Sequence, residues 1–165
     1  MTKTVRVEIP EFLKPGVKTV IGQHNFKQDE IIRFGKQFDP QRFHIDPKAA
    51  EESLLGGLCA SGWHTTSVWM ALQRKSVNEH TAQLKAAGKP YPEFGPSPGM
   101  SGLKWFRAVF VGNTITYVNT IREFRKSKSR PEWWVLRNFS EGKNQNGEKV
   151  IEFESTVFVK IHDPA

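Results

Sequence analysis

Apolar residues recur at helical intervals in the first half of the chain and at alternate positions in the second half. The segment 29–38 predicts the first helix, because its apolar residues lie three and four positions apart: Ile31, Phe34 and Phe38. A longer helix is predicted from Gly62, since the residues as far as Gln73 are small or apolar on almost every side. A helix with that composition is typically buried, so we expect it to lie at the centre of the fold.

The second half of the chain predicts a sheet. Gly88 ends the helical pattern, and the proline-rich segment 89–99 that follows is expected to be an irregular loop. The predicted strands are 17–26, 103–111, 114–124, 133–139 and 151–161. Asn146-Gly147 is a strong hairpin signal before the last of them. Five or six antiparallel strands packed against one buried helix make an α+β domain.

A short link between two predicted helices carries the residues best suited to acid–base chemistry. Pro40 disfavours helical geometry at Asp39, so the first helix should end there. Asp46 followed by Pro47 is typical of an N-cap and a first helical position, so a short helix should begin at once. Asp39 and His44 therefore share a bend that can turn both side chains toward one point. Because it lies at the negative end of a helix dipole, Asp39 is expected to be a somewhat stronger base.

Length and composition predict one globular domain over residues 1–165, with residues 1–16 as a lead-in, since 38% of the residues are hydrophobic and 12% aromatic. We recognise no membrane-spanning run and no signal peptide, which predicts a cytoplasmic protein without a membrane partner. Cys59 is the single cysteine, so it predicts a buried thiol, no disulfide and no metal site. The net charge of +7 and pI near 9.6 favour an anionic partner, either nucleic acid or a phosphate-bearing small molecule.

Two motifs carry a family resemblance. The first is the aspartate–histidine stretch 38–46, and the second comprises residues 56–58 and 60–65, which open the predicted central helix. Together they closely resemble the MaoC-like acyl dehydratases and the related R-specific enoyl-CoA hydratases, and the likeness extends from about Val17 to the C-terminus. Where those hydratases usually have Asn-Pro, this chain has Gln41-Arg42, and where they have His-Gly it has Ser61-Gly62.

The resemblance implies a hot-dog fold, which is a curved antiparallel sheet wrapped around one long central helix, usually in a homodimer. It also implies reversible addition of water to 2-enoyl thioesters, with coenzyme A as part of the substrate and no metal or redox cofactor. Asp39 and His44 match the catalytic aspartate and histidine of the family. Such a reaction needs a water deprotonated as it attacks C3 and a proton delivered to C2. The hypothesis is that the pair holds one water, with Asp39 as the base and His44 orienting that water and sharing in the proton transfers, and the sequence leaves the exact division between them open.

Gly62 is the candidate for the remaining requirement, which is to stabilise the enolate charge on the thioester oxygen. If Ser61 caps the central helix, the Gly62 N–H lies free at the positive helix end. The alternative is that Gly62 only lets the helix pack closely. Ser61 is also a candidate substrate contact, and Arg130 in the family-like segment 127–131 is either an ion-pair partner or a phosphate contact for coenzyme A.

Three other functions stay open at this point. A hot-dog acyl-CoA thioesterase would need an acidic residue on or near the central helix, yet residues 62–71 contain no Asp or Glu. A nucleic-acid-binding module is supported only by net charge and scattered aromatic residues, so we expect no nucleic-acid partner. A non-catalytic acyl-CoA-binding subunit that keeps the fold is compatible with Gln41 and Arg42.

Overall fold

The longest helix of the chain packs against an antiparallel sheet in the computed structural model, which describes residues 7–164. The helices are α1 (Gln28–Phe38), α2 (Arg42–Ile45), α3 (Pro47–Glu51) and α4 (Gly62–Ala86), preceded by a 3₁₀ turn at Glu11–Leu13. The strands are β1 (Lys18–Asn25), β2 (Cys59–Ala60), β3 (Tyr91–Phe94), β4 (Gly99–Trp105), β5 (Val109–Phe110), β6 (Thr114–Lys126), β7 (Trp134–Lys143) and β8 (Lys149–His162).

The main sheet has the strand order β1-β6-β7-β8, and both β3 and β4 pair with the outer edge of β8. These pairings are antiparallel. The short strands β2 and β5 form a separate two-stranded ladder, and β2 leads directly into α4. This arrangement confirms the predicted α+β class and the hot-dog fold, in which the sheet surrounds one long helix.

The core lies between α4 and the sheet. Trp69 of α4 meets Phe153 of β8 edge to face at 4.6 Å, and the Tyr117 hydroxyl of β6 donates a 2.8 Å hydrogen bond to the Thr65 carbonyl. A second apolar cluster around β6, β7 and β8 includes Leu13, which is buried. The predicted lead-in is therefore packed against the sheet from the 3₁₀ turn onward, and its residues 1–6 lie outside the described part of the chain.

Two of the predicted elements differ from the structure. The segment 89–99 is not wholly irregular, because β3 pairs with the end of β8. Its Pro92 is compatible with a strand because β3 is an edge strand, where a missing N–H costs no ladder hydrogen bond. The predicted strand 103–111 is divided into β4 and β5, since the chain leaves the sheet between Trp105 and Val109.

The prediction that residues 62–73 are buried on every side is wrong for the single chain. Trp63 is 55% exposed and Met70 is 46% exposed, while Thr66 and Trp69 between them are buried. The helix therefore carries one apolar face toward the sheet and a second apolar face that is open. Its C-terminal end near Gly88 is as predicted.

Candidate active site

The bend predicted after α1 is present in the structure, and it packs the short helix α2 against α1. Asp39 caps the C-terminus of α1, where its N–H donates a 2.9 Å hydrogen bond to the Gly35 carbonyl. The prediction placed His44 on an irregular link, but the structure places it on the single turn of α2. A Cβ at Gly35 would lie 2.7 Å from the His44 carbonyl oxygen, so a glycine is required for α1 and α2 to pack this closely. The two predicted side chains therefore converge as expected.

The carboxylate of Asp39 and the imidazole of His44 are in contact. His44 Nε2 lies 3.3 Å from Asp39 Oδ2, and the imidazole is buried. On the other side of the ring, His44 Nδ1 is 2.6 Å from the Cys59 carbonyl oxygen. A carbonyl only accepts, so Nδ1 carries the proton and donates. In a neutral ring this leaves Nε2, 3.3 Å from Asp39 Oδ2, as the nitrogen that can accept a proton.

Two side chains donate hydrogen bonds to the carboxylate of Asp39. Gln41 Nε2 donates to Asp39 Oδ1 at 2.8 Å, and Ser61 Oγ donates to Asp39 Oδ2 at 2.7 Å. Burial raises the pKa of Asp39, but these hydrogen bonds and the charge of His44 outweigh it and hold the pKa below its ordinary value. The expectation of a stronger base is therefore wrong, because the hydrogen bonds stabilise the ionised carboxylate.

Ser61 caps α4 as predicted. Its hydroxyl accepts a 3.2 Å hydrogen bond from the Trp63 N–H while it donates to Asp39. The N–H of Gly62, in the first turn of α4, has no acceptor within the helix. A Cβ on Gly62 would lie 2.5 Å from the Trp105 ring, so close packing also requires glycine here, against β4. The close-packing alternative is therefore supported, and the oxyanion role of the N–H stays a prediction.

A cleft of about 350 Å³ opens beside this constellation. Both His44 and Gly62 line it, whereas Asp39 and Ser61 are not among its lining residues. No site role was predicted for Trp105, Phe106 and Arg107, which also line the cleft. Arg107 interrupts the alternating apolar positions of the predicted strand 103–111, and the chain leaves the sheet at this point.

The structure does not bring Arg130 to the cleft of the same chain. Its guanidinium lies over the Phe158 ring at 5.2 Å. Phe158 is eight residues along β8 from Val150, which lines the cleft. At about 3.3 Å per residue, that separation is roughly 26 Å. A phosphate contact by Arg130 stays a prediction, as does a substrate contact by Ser61, which is only 1% exposed.

Cys59 lines the cleft beside His44, with Sγ 3.8 Å from Nδ1. Burial, with a smaller effect from the charge of Asp39, raises the pKa of the thiol to about 11. The thiol is therefore protonated near neutral pH. Within residues 7–164, no three His, Cys, Asp or Glu side chains are grouped so that they could hold a metal ion. None of the helices in that range is long and apolar enough to cross a membrane.

A hot-dog fold with a paired carboxylate and imidazole beside a cleft defines a protein equipped for acid–base chemistry. No family model matches the sequence. The solved structure of a MaoC-like dehydratase from Rhodospirillum rubrum is 31% identical to this chain, with a TM-score of 0.73, and the match covers 92% of this chain and 96% of that one. The chain therefore belongs to the MaoC-like dehydratase family.

Two more distant relatives extend this comparison. The (R)-hydratase from A. caviae involved in PHA biosynthesis is 18% identical, with a TM-score of 0.63, over 92% of this chain and 98% of its own, which shows a shared fold. The uncharacterized protein YdeM of Bacillus subtilis is 25% identical over 133 residues, which are 81% of this chain and 85% of YdeM. Membership of this family supports chemistry of the hydratase or dehydratase kind.

Proposed function

We propose that this protein adds water reversibly to the double bond of 2-enoyl-CoA thioesters, with no metal or redox cofactor. The observation that carries the proposal is the 3.3 Å contact between His44 Nε2 and Asp39 Oδ2, beside a cleft that the first residue of α4 also lines. His44, which can take up and return a proton, and the N-terminus of α4 then face one space, as the reaction requires.

His44 is the member of the pair that exchanges protons with the substrate. Three features support this assignment. His44 lines the cleft, its Nδ1–H donates a hydrogen bond to the Cys59 carbonyl, and Nε2 therefore carries the lone pair that can accept a proton. As the water oxygen bonds to C3, Nε2 takes a proton from that water, and the π electrons of the double bond move onto the thioester oxygen. The imidazolium then gives its proton to C2, so that water has been added and His44 is neutral again.

Asp39 stabilises the imidazolium that forms during this step. Its carboxylate remains ionised because Gln41 and Ser61 donate to it, and the same bonds fix its orientation toward Nε2. Residues that act in this way need not touch the substrate, which fits the absence of Asp39 from the lining of the cleft.

The Gly62 N–H is assigned as the hydrogen-bond donor to the enolate oxygen. This donor lies at the N-terminus of a helix of 25 residues, where the helix dipole favours negative charge. One oxyanion donor contributes roughly 3–4 kcal/mol to transition-state stabilisation in other enzymes.

The phosphates of coenzyme A are assigned to the basic rim of the cleft. Arg107 lines the cleft, and its side chain is more than half exposed, with Glu148 3.5 Å away. An exposed ion pair of that length contributes little, so the guanidinium is available to an anionic ligand. This use of the net positive charge involves no nucleic acid. The thioesterase alternative keeps an acidic residue near the central helix, because Asp39 accepts a hydrogen bond from the Ser61 cap of α4, so it is distinguished by assaying hydrolysis of the same thioesters.

A homodimer is proposed through the free edge of β4. This strand pairs with β8 along one side, and Met100 and Trp105 on it are each 43% exposed. Trp63 packs against Trp105 at 5.1 Å and extends the apolar surface onto α4. An open strand edge beside apolar side chains favours pairing with a second copy. Light scattering should give twice the 18.8 kDa of one chain, and Met100→Lys should shift the mass toward one chain.

The enzymatic proposal is tested by the loss of enoyl absorbance with a panel of 2-enoyl-CoA thioesters. His44→Asn keeps an amide donor for the Cys59 carbonyl but removes the base, so turnover should fall by about 10²–10⁴-fold. The turnover of Asp39→Asn should fall by a comparable factor. The matched control is His162→Asn, because His162 pairs with Glu93 at 2.6 Å at the remote end of β8 and should retain full activity. Folded His44→Asn and Asp39→Asn proteins within threefold of wild-type turnover would rule the mechanism out.

A further inference from the structure

The turn between β7 and β8 carries Asn146 followed by Gly147, a hairpin signal whose chemistry the proposed function does not use. Both residues are exposed at the tip of the turn. Gly147 has a φ of +77°, which glycine adopts without strain. The other six asparagines of the chain precede residues that have a side chain, so Asn146 alone lies next to an unshielded backbone nitrogen. Its side-chain amide is open to attack by that nitrogen.

Hydrogen bonds within the turn hold the attacking nitrogen in place. The Gly147 N–H donates to the Asn144 carbonyl at 3.0 Å. Asn144 Oδ1 accepts from the N–H groups of Asn146 and Glu148, both at 3.0 Å. The bond from Gly147 must open before its nitrogen can reach Asn146 Cγ. A hydrogen bond of this kind contributes about 0.5–1.5 kcal/mol, so the fold slows the attack by roughly 2–12-fold and does not prevent it.

The turn also contacts the basic rim of the cleft. Asn144 Nδ2 donates to Glu148 Oε2 at 2.9 Å, and Glu148 Oε1 lies 3.5 Å from Arg107 Nη2. Arg107 lines the cleft, and the Phe106 N–H next to it donates to the Val150 carbonyl at 2.9 Å. The position of the Glu148 carboxylate beside Arg107 therefore depends on the conformation of the turn.

We propose that Asn146 is a modification site, at which spontaneous deamidation forms isoaspartate and aspartate and weakens anion binding at the rim of the cleft. The Gly147 nitrogen forms a bond to Asn146 Cγ, the Cγ–Nδ2 bond breaks, and ammonia leaves with the proton from Gly147. Water then opens the resulting succinimide ring. Attack at the main-chain carbonyl gives isoaspartate, and attack at Cγ gives aspartate. Water is the only co-reactant, and nothing is oxidised or reduced.

Both products change the surroundings of Arg107. Each adds one negative charge close to Glu148, and isoaspartate also lengthens the main chain of the turn by one carbon atom. The longer turn no longer matches the hydrogen bonds that join Asn144 to Gly147 and Glu148. The effect on binding rests on the proposed function, because it takes the phosphates of coenzyme A as the anion at Arg107. Two unit charges on the order of 10 Å apart in water repel by about 0.4 kcal/mol, which is about twofold in affinity for each phosphate charge.

Deamidation is measured on the full chain incubated at pH 8, by intact mass and by peptide mapping that separates isoaspartate from aspartate. We expect modified molecules to gain one mass unit at Asn146, at a rate roughly 2–12-fold below that of the urea-unfolded chain. The internal control is Asn78, which is exposed on α4 but precedes Glu79, so it should stay unmodified over the same period. Asn146→Gln, whose longer side chain does not form the succinimide, should gain no mass.

Absence of a mass gain at Asn146 in the folded chain, after the unfolded chain has converted, would overturn the proposal, and so would equal rates at Asn146 and Asn78. With 2-enoyl-CoA substrates the KM of fully converted wild type should rise about 2–4-fold, whereas incubated Asn146→Gln should keep the KM of fresh protein. An unchanged KM after conversion would refute the effect on Arg107. If fresh protein turns over no enoyl thioester, the proposed function fails. The mass gain then still decides the modification, and calorimetry with coenzyme A alone decides the effect on binding.

Discussion

Removing the Ser61 hydroxyl tests how the candidate site and the central helix depend on one side chain. Ser61 Oγ donates to Asp39 Oδ2 at 2.7 Å and accepts from the Trp63 N–H at 3.2 Å. Ser61→Ala removes both interactions. Ser61→Gly also removes both, but glycine is a nearly equivalent N-cap, so this variant isolates the bond to the carboxylate.

The expected magnitudes follow from these two roles. A hydrogen bond to a charged group contributes about 1.5–3 kcal/mol. Loss of the cap adds about 1 kcal/mol for alanine and a few tenths for glycine. We therefore expect Ser61→Gly to lower the free energy of unfolding by about 2–3 kcal/mol at pH 7, and Ser61→Ala by about 1 kcal/mol more. Both losses are a large fraction of the stability of an ordinary domain.

The pH dependence of the loss gives a second measurement. The folded-state pKa of Asp39 is held below its ordinary value of 3.8, so its contribution is present above that pH and is lost as the pH falls through the folded pKa. Urea unfolding of the wild type and Ser61→Gly should therefore differ most at pH 7 and least near pH 3. A difference below about 0.5 kcal/mol at pH 7, or one that is equal at both pH values, would refute the role given to Ser61.

Three further outcomes are expected. Burial lowers the pKa of His64 from 6.5 to about 4, so the wild type should lose up to about 3 kcal/mol of stability as the pH falls from 6.5 to 4, and urea unfolding of His64→Phe should lack that loss. Gly62→Ala places a Cβ 2.5 Å from the Trp105 ring, so it should cost about 1–3 kcal/mol and change the tryptophan fluorescence. The pKa of Cys59 is raised to about 11 from 9.0, so iodoacetamide should alkylate native Cys59 at least about 100-fold more slowly than the urea-unfolded chain.

The sequence predicts the fold class well because periodicity reports which faces are covered. The sequence predicts less well whether a given face is buried when the residues that would cover it belong to other helices or strands. The open face of α4 at Trp63 and Met70 has the same composition as a buried face, and residue type alone does not separate them. Likewise, Pro92 argues against a strand in general but not at a sheet edge, and only the pairing of β3 with β8 shows that it lies there.

The candidate site is predictable to the extent that it is local in sequence. Asp39 and His44 lie five residues apart, and the prolines around them indicate the bend that joins them. The partners that fix their chemistry are distant or ambiguous. The Cys59 carbonyl that sets the tautomer of His44 is a backbone atom fifteen residues away, so no side-chain pattern could show it. The cleft could not be predicted either. Trp105 lines it at the end of β4, and the position of that end depends on the pairing of β4 with β8.

The two departures from the usual hydratase motif meet at one carboxylate. Gln41 and Ser61, which stand where those hydratases usually have Asn and His, are the two residues that donate to Asp39. Each therefore supplies a hydrogen bond, and neither displaces a reacting group. Arg42, the remaining change in that stretch, is exposed. Because these substitutions leave each carboxylate oxygen with a side-chain hydrogen bond and the carboxylate in contact with His44, they are compatible with the catalytic roles proposed for the pair.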